Sequence, residues 1–172
     1  MRDLTELILD LIRDVPDYPK PGIVFKDITP LLADHAAFSA VIDALAEGLD
    51  VDKVVGIEAR GFILAAPVAL RAGAGFVPIR KKGKLPAATF DASYDLEYGS
   101  AVIEVHRDAF APGERVLVVD DVLATGGTAR AAVELVNRAG AHVVGVSVLM
   151  ELAFLKGRER LDGVEPRALV VV

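Results

Sequence analysis

Residues 116–140, VLVVDDVLATGGTARAAVELVNRAG, constrain this chain more than any other stretch. The apolar run that ends at Val119 is too short for a helix and is bounded by charge, so residues 115–119 read as a strand buried on both faces. Asp120 and Asp121 follow directly. A turn containing Gly126 and Gly127 comes next, and the apolar spacing over 129–139 is helical, with Gly140 as its stop. A strand, an acid pair, a glycine turn and a helix in that order form one βα unit. Such units build open α/β sheets, and in those sheets ligands bind beyond the carboxyl ends of the strands.

A plain structural connection has no need of a doubled carboxylate at that end. Two adjacent carboxylates offer several acceptor positions, enough for a vicinal diol such as the 2′- and 3′-hydroxyls of a ribose, or for a hydrated Mg²⁺. The segment Ala124, Thr125, Gly126, Gly127, Thr128 then presents backbone N–H groups where a helix begins. Glycine allows the tight turn and a close backbone approach, and a helix N-terminus favours an anion. The alternative is that Thr128 only caps the helix and the acids are solvated. That leaves the fixed order of four features unexplained, so a sugar-phosphate ligand is the better reading.

Elsewhere, Leu4, Leu7, Ile8 and Leu11 give a short helical face, which the prolines and glycine of DYPKPG (17–22) break. Phe38, Val41, Ile42, Leu45 and Leu49 give a second helical face. Residues 53–61 read as a buried strand ending in charge, 62–73 as a helix closed by Gly73, and 75–80 as a strand at an edge or bent at Pro78. Residues 81–112 read as a flexible excursion with a hairpin, whose clear strand is Ala101 to Val105. Strands at 142–149 and 168–172 complete the set. The expected fold class is therefore α/β, a mainly parallel sheet flanked by helices, in a single domain spanning 1–172.

Composition excludes several functions. There are no cysteines among the 172 residues, so thiolate catalysis, disulfides and Cys-ligated zinc are out, and a reducing, cytoplasmic setting is expected. The formal net charge of −6 argues against general nucleic-acid binding. No apolar run reaches the roughly 20 residues of a membrane span. The N-terminus carries acids and does not read as a signal peptide. A polyanionic ligand then needs a local basic cluster, and IRKKGK (79–84) supplies one. The P-loop and Rossmann fingerprints are both absent. His35, His106 and His142 are isolated and read as non-catalytic.

The segment VLVVDDVLATGGTA resembles the 5-phosphoribosyl 1-pyrophosphate (PRPP) signature of the type I phosphoribosyltransferases. DYPKPGIVFKDITPLL, GIEARGFILAAPVA, IRKKGKLP, ASYDLEYG and LKGRERL extend the resemblance over most of the chain, and toward the adenine-using branch of that family. The resemblance implies a transferase that makes AMP and pyrophosphate from adenine and PRPP with Mg²⁺, acting as a homodimer. It implies that Asp120 and Asp121 meet the ribose diol and that 124–128 hold the 5′-phosphate. Arg60, Arg80, Lys81 and Lys84 would face pyrophosphate. Val24, Phe25, Lys26 and Leu152 would hold adenine, under a hood formed by residues 1–33. Glu97 would handle the purine proton and Tyr98 would close the loop, both within the flexible catalytic segment 81–112. No direct protein ligation of metal is implied: Mg²⁺ would ride mainly on PRPP, with Asp120 and Asp121 reaching it through water. Two other readings stay open, a transferase for another base and a non-catalytic PRPP sensor.

Overall fold

The computed structural model describes residues 3–95 and 99–172. Seven strands form the main sheet. In chain order they are β3 (Lys53–Ile57), β4 (Gly75–Lys81), β5 (Thr89–Asp95), β6 (Ser100–His106), β7 (Arg115–Leu123), β8 (His142–Glu151) and β9 (Pro166–Val171). Their spatial order is β5-β6-β4-β3-β7-β8-β9. The five strands from β4 to β9 are parallel, and the β5–β6 hairpin adds antiparallel to them. A separate two-stranded hairpin, β1 (Arg13–Pro16) and β2 (Val24–Asp27), stands by the carboxyl edge of the sheet.

The central strands alternate their side chains between two cores, which is why they read as unbroken apolar runs. Val55, Val116 and Val118 pack with α5 (Gly127–Arg138) on one face. Val54, Leu117 and Val119 pack on the other with α3 (His35–Ala46) and α4 (Arg60–Ala72). The first helix, α1 (Leu4–Leu11), buries Ile8 in this second core. Asp34 caps α3 by accepting from the Ala37 N–H at 2.9 Å. Gly73 ends α4 in the left-handed conformation that a C-cap requires. One bulge interrupts the β7–β8 ladder: Val116 faces Val143 and Leu117 faces Gly145, so Val144 is extra.

Four local expectations change. β4 is interior, not an edge, but β6 pairs with it only at Arg80 and Lys81, so the missing N–H of Pro78 costs no ladder bond on that side. β7 does not stop at Val119: pairing with β8 carries it through both acids to Leu123. Thr89–Asp95 is a full strand, and Thr29–Ala33 is a short helix, α2.

Candidate active site

β3 stops pairing with β7 at Val119, while β8 continues alongside to Leu123. The end of β7 therefore projects past its neighbour and forms one wall of a cavity of about 440 Å³. The β1–β2 hairpin forms the opposite wall with Ile23, Val24, Phe25 and Lys26. Asp120, Asp121, Ala124, Thr128, Arg60, Lys81 and Leu152 also line it. Thr125 and Gly126 instead line an adjoining hollow of about 70 Å³ with Asp120 and Thr128.

The acid pair is not two equivalent solvated carboxylates. The Asp121 side chain is 7% exposed, and its Oδ2 lies 2.9 Å from Nε of Arg60. That oxygen nevertheless accepts no aligned hydrogen bond. Asp120 accepts from the Asp121 N–H at 2.9 Å. Burial, and then the adjacent charge of Asp121, push the Asp120 carboxyl well above the usual carboxylate range. Gly61, in the first turn of α4, makes room for it: a Cβ there would sit 2.8 Å from Asp120 Oδ1.

Arg60 joins the sheet to the hairpin. Besides Asp121, its guanidinium lies 4.8 Å from the Phe25 ring centroid and donates to the Lys26 carbonyl at 3.4 Å. Phe25 in turn meets Tyr18 edge to face at 5.2 Å. The Lys26 ammonium points elsewhere, to Asp14 at 2.7 Å.

The basic segment is organised by an acid that sequence reasoning passed over. Glu58, at the cavity wall, accepts from Arg80 Nε at 2.9 Å, from Lys84 Nζ at 3.1 Å and from the Lys81 N–H at 3.4 Å. Burial pushes the Glu58 carboxyl up, but Lys84 and Arg80 outweigh it and hold it below its ordinary value. Arg80 and Lys84 thus meet the cavity through Glu58, whereas Lys81 lines it directly. Only the neighbouring cations could have hinted at Glu58. Tyr94, Ile103, Val122 and Leu155 also line the cavity; each lies in a segment the sequence had marked, but nothing singled out the residue itself.

At the glycine turn, α5 begins at Gly127 with no side-chain cap, so its first N–H groups are available to an anion. Gly126 has φ +85°, and a Cβ on it would meet the Gly157 carbonyl oxygen at 2.3 Å. The turn Gly157–Arg160 that supports it is tied down by Arg158, which donates to both oxygens of buried Glu151 at 3.1 and 2.6 Å.

Residues 27–167 match the phosphoribosyl transferase domain family. The chain is 65% identical to the adenine phosphoribosyltransferase of Thermobifida fusca, over 99% of this chain and 98% of that protein. The chain belongs to the adenine phosphoribosyltransferase family. Two solved members show the same fold. The enzyme of Thermoanaerobacter pseudethanolicus superposes with a TM-score of 0.95 at 50% identity, covering 99% of this chain and all of that one. That of Trypanosoma brucei, in complex with AMP, pyrophosphate and ribose-5-phosphate, gives 0.90 at 26% identity over 99% of this chain and 80% of that one. The chain is thus a transferase of purine salvage with the type I phosphoribosyltransferase fold, and its family's reaction is AMP synthesis from adenine. The structure gathers Asp120, Asp121, Arg60, Lys81, Val24, Phe25, Lys26 and Leu152 around one cavity. Glu97 and Tyr98 lie outside the described residues. No helix among the described residues is long and apolar enough to cross a membrane.

Proposed function

We propose that adenine occupies the hairpin side of the cavity and PRPP the sheet side, and that the chain joins them as AMP with release of pyrophosphate. One observation carries the assignment: a single cavity has an aromatic hairpin, an acid pair of which Asp121 is buried, and an uncapped helix start around it. Asp120 and Asp121 accept from the ribose hydroxyls. Backbone N–H groups of 124–128, with the Thr125 and Thr128 hydroxyls, hold the 5′-phosphate. Phe25 and Leu152 pack on the base, and the backbone of Val24 and Lys26 reads its edge.

As the bond from ribose C1 to the diphosphate lengthens, the sugar gains positive character and the leaving group takes the electron pair. Arg60, Arg80, Lys81 and Lys84 stabilise that departing charge. N9 of adenine supplies its electron pair to C1 and gives up its proton, which Glu97 accepts or relays. Tyr98 closes the loop and excludes water.

The residues present fit Mg²⁺ held through water and substrate. Asp121 offers a buried oxygen with no aligned hydrogen bond, and Asp120 is its neighbour. A cation that keeps waters and takes substrate oxygens suits so few protein ligands. When bound, Mg²⁺ neutralises diphosphate oxygens. The reading includes a cytoplasmic homodimer. It is supported by the cysteine-free sequence and by apolar side chains left exposed on α4, Leu70 at 83% and Ile63 at 43%, and on β4, Phe76 at 37%. Sedimentation of a monomer at assay concentration would remove the dimer.

A chromatographic assay for AMP from adenine, PRPP and Mg²⁺ tests the whole. Consumption of hypoxanthine but not adenine would overturn the base assignment. PRPP binding without turnover would leave a sensor.

A further inference from the structure

Glu104 is a buried carboxylate with no role in the reaction as set out above. It sits in β6 between Ile103 and Val105, and all three are buried. Ile103 and Val105 belong to the core under α5, so alternation turns Glu104 to the opposite face. The chain from Lys82 to Thr89 covers that face. Glu104 Oε1 accepts from the Gly83 N–H at 2.9 Å and from the Leu85 N–H at 3.4 Å, and Oε2 accepts from the Thr89 hydroxyl at 3.1 Å. No cation pairs with it among the described residues. A buried carboxylate is retained at a cost unless its oxygens are satisfied; here the turn satisfies Oε1, and Thr89 at the start of β5 satisfies Oε2. Glu104 also stands opposite Arg80 in the β4–β6 register.

We infer that Glu104 is a positioning residue that fixes the turn carrying Lys84, and so sets where the basic segment meets the diphosphate of PRPP. This rests on the assignment of Arg80 and Lys84 to that group. Two carboxylates then divide the work. Glu104 holds the backbone of the turn from beneath, and Glu58 holds the Lys84 and Arg80 side chains. Glutamine can replace Glu104: its carbonyl oxygen accepts from both N–H groups, and its amide donates to the Thr89 oxygen. Alanine cannot.

The test is the steady-state kinetics of Glu104→Ala, Glu104→Gln and Thr89→Val beside Arg80→Ala and Lys84→Ala. Glu104→Ala is expected to raise KM for PRPP about tenfold, the scale of an unmade buried hydrogen bond, with KM for adenine within about twofold. Thr89→Val should raise it less, and Glu104→Gln should restore it. A purely structural Glu104 would lower the melting temperature and the amount of active enzyme while leaving both KM values alone. That pattern overturns the proposal. If Glu104→Ala gives no folded enzyme, Thr89→Val decides, and an unchanged KM for PRPP there overturns the proposal. If Arg80→Ala and Lys84→Ala raise that KM and the Glu104 and Thr89 variants do not, the proposal falls and the assignment of the cations stands. If Arg80→Ala and Lys84→Ala leave it unchanged, that assignment falls and takes the proposal with it.

Discussion

Nε of Arg60 stands 2.9 Å from Oδ2 of Asp121, and that oxygen accepts no aligned hydrogen bond. The pair is held by charge in a nearly buried place, where an unpartnered acceptor is costly. Oδ2 is closed off from solvent against Arg60, while Asp121 as a residue lines the cavity that the proposed function gives to the ribose. Asp121→Asn exchanges the full charge for an amide. It should lower kcat/KM for PRPP about 100-fold, a loss of the order of a charge-assisted hydrogen bond, while far-UV circular dichroism stays unchanged. Near wild-type turnover in Asp120→Asn with Asp121→Asn would remove the acid pair from the site.

Asp120, which the proposed function gives to the ribose, works against the fold at neutral pH. Its folded pKa is raised, by burial first and then by Asp121. A raised acid favours the folded state below the unfolded pKa of about 3.9, and that advantage is lost as pH rises through the folded pKa. At neutral pH its ionisation works against folding. Asp120→Asn keeps the acceptor for the Asp121 N–H and should raise Tm by about 3 °C at pH 7.5, with little gain near pH 4. Scanning calorimetry at the two pH values checks the sign.

Glu58 runs the other way. Burial raises its pKa, but the bonds from Lys84 and Arg80 bring the balance below the ordinary value. Its contribution is present above the unfolded pKa and lost as pH falls through the folded one. Glu58→Gln should destabilise the protein by about 0.5 to 1 kcal/mol at pH 7, since its cation partners are partly exposed. The difference from wild type should shrink below about pH 4, as urea titrations at both pH values would show.

Gly126→Ala meets two obstacles at once, a φ of +85° and a carbonyl oxygen 2.3 Å from the new methyl. The expected loss is about 3 kcal/mol or more, with a large rise in KM for PRPP. Gly140→Ala, at φ +89° in open space, should cost only about 1 to 2 kcal/mol and leave KM unchanged. Equal losses at the two positions would show that backbone strain alone matters.

Phe25 is half-buried and its neighbours are Tyr18 and Arg60. Phe25→Ala should raise KM for adenine about tenfold, as the loss of an aromatic stacking partner does, with a smaller change for PRPP and little change in Tm.

Apolar periodicity gave away the central strands and the long helices, because each of them buries a whole face. It misjudged where β7 ends. Charge at 120 and 121 looks like the end of a buried run, yet β8 holds the backbone on to Leu123 whatever the side chains are. Thr89–Asp95 went unread because its alternation carries Thr, Asp and Ser against one partly covered face. The glycine turn and the acids were legible because their chemistry is local. Glu58 and Glu104 were not: each is a single acid in a strand or at its end, and only the folded chain shows which cations and N–H groups come to it.

Val144 adds one residue to β8 before the strand reaches the cavity edge. Side chains in a strand have a strict two-step rhythm. Val143 and Val146 are three apart yet share one core, so the extra residue takes up one step of that rhythm. Deleting Val144 would leave a regular ladder, with Val148 and Leu149 on their present sides and Glu151 still beside Arg158. The far end of the strand can thus lose a residue without disturbing what supports the glycine turn.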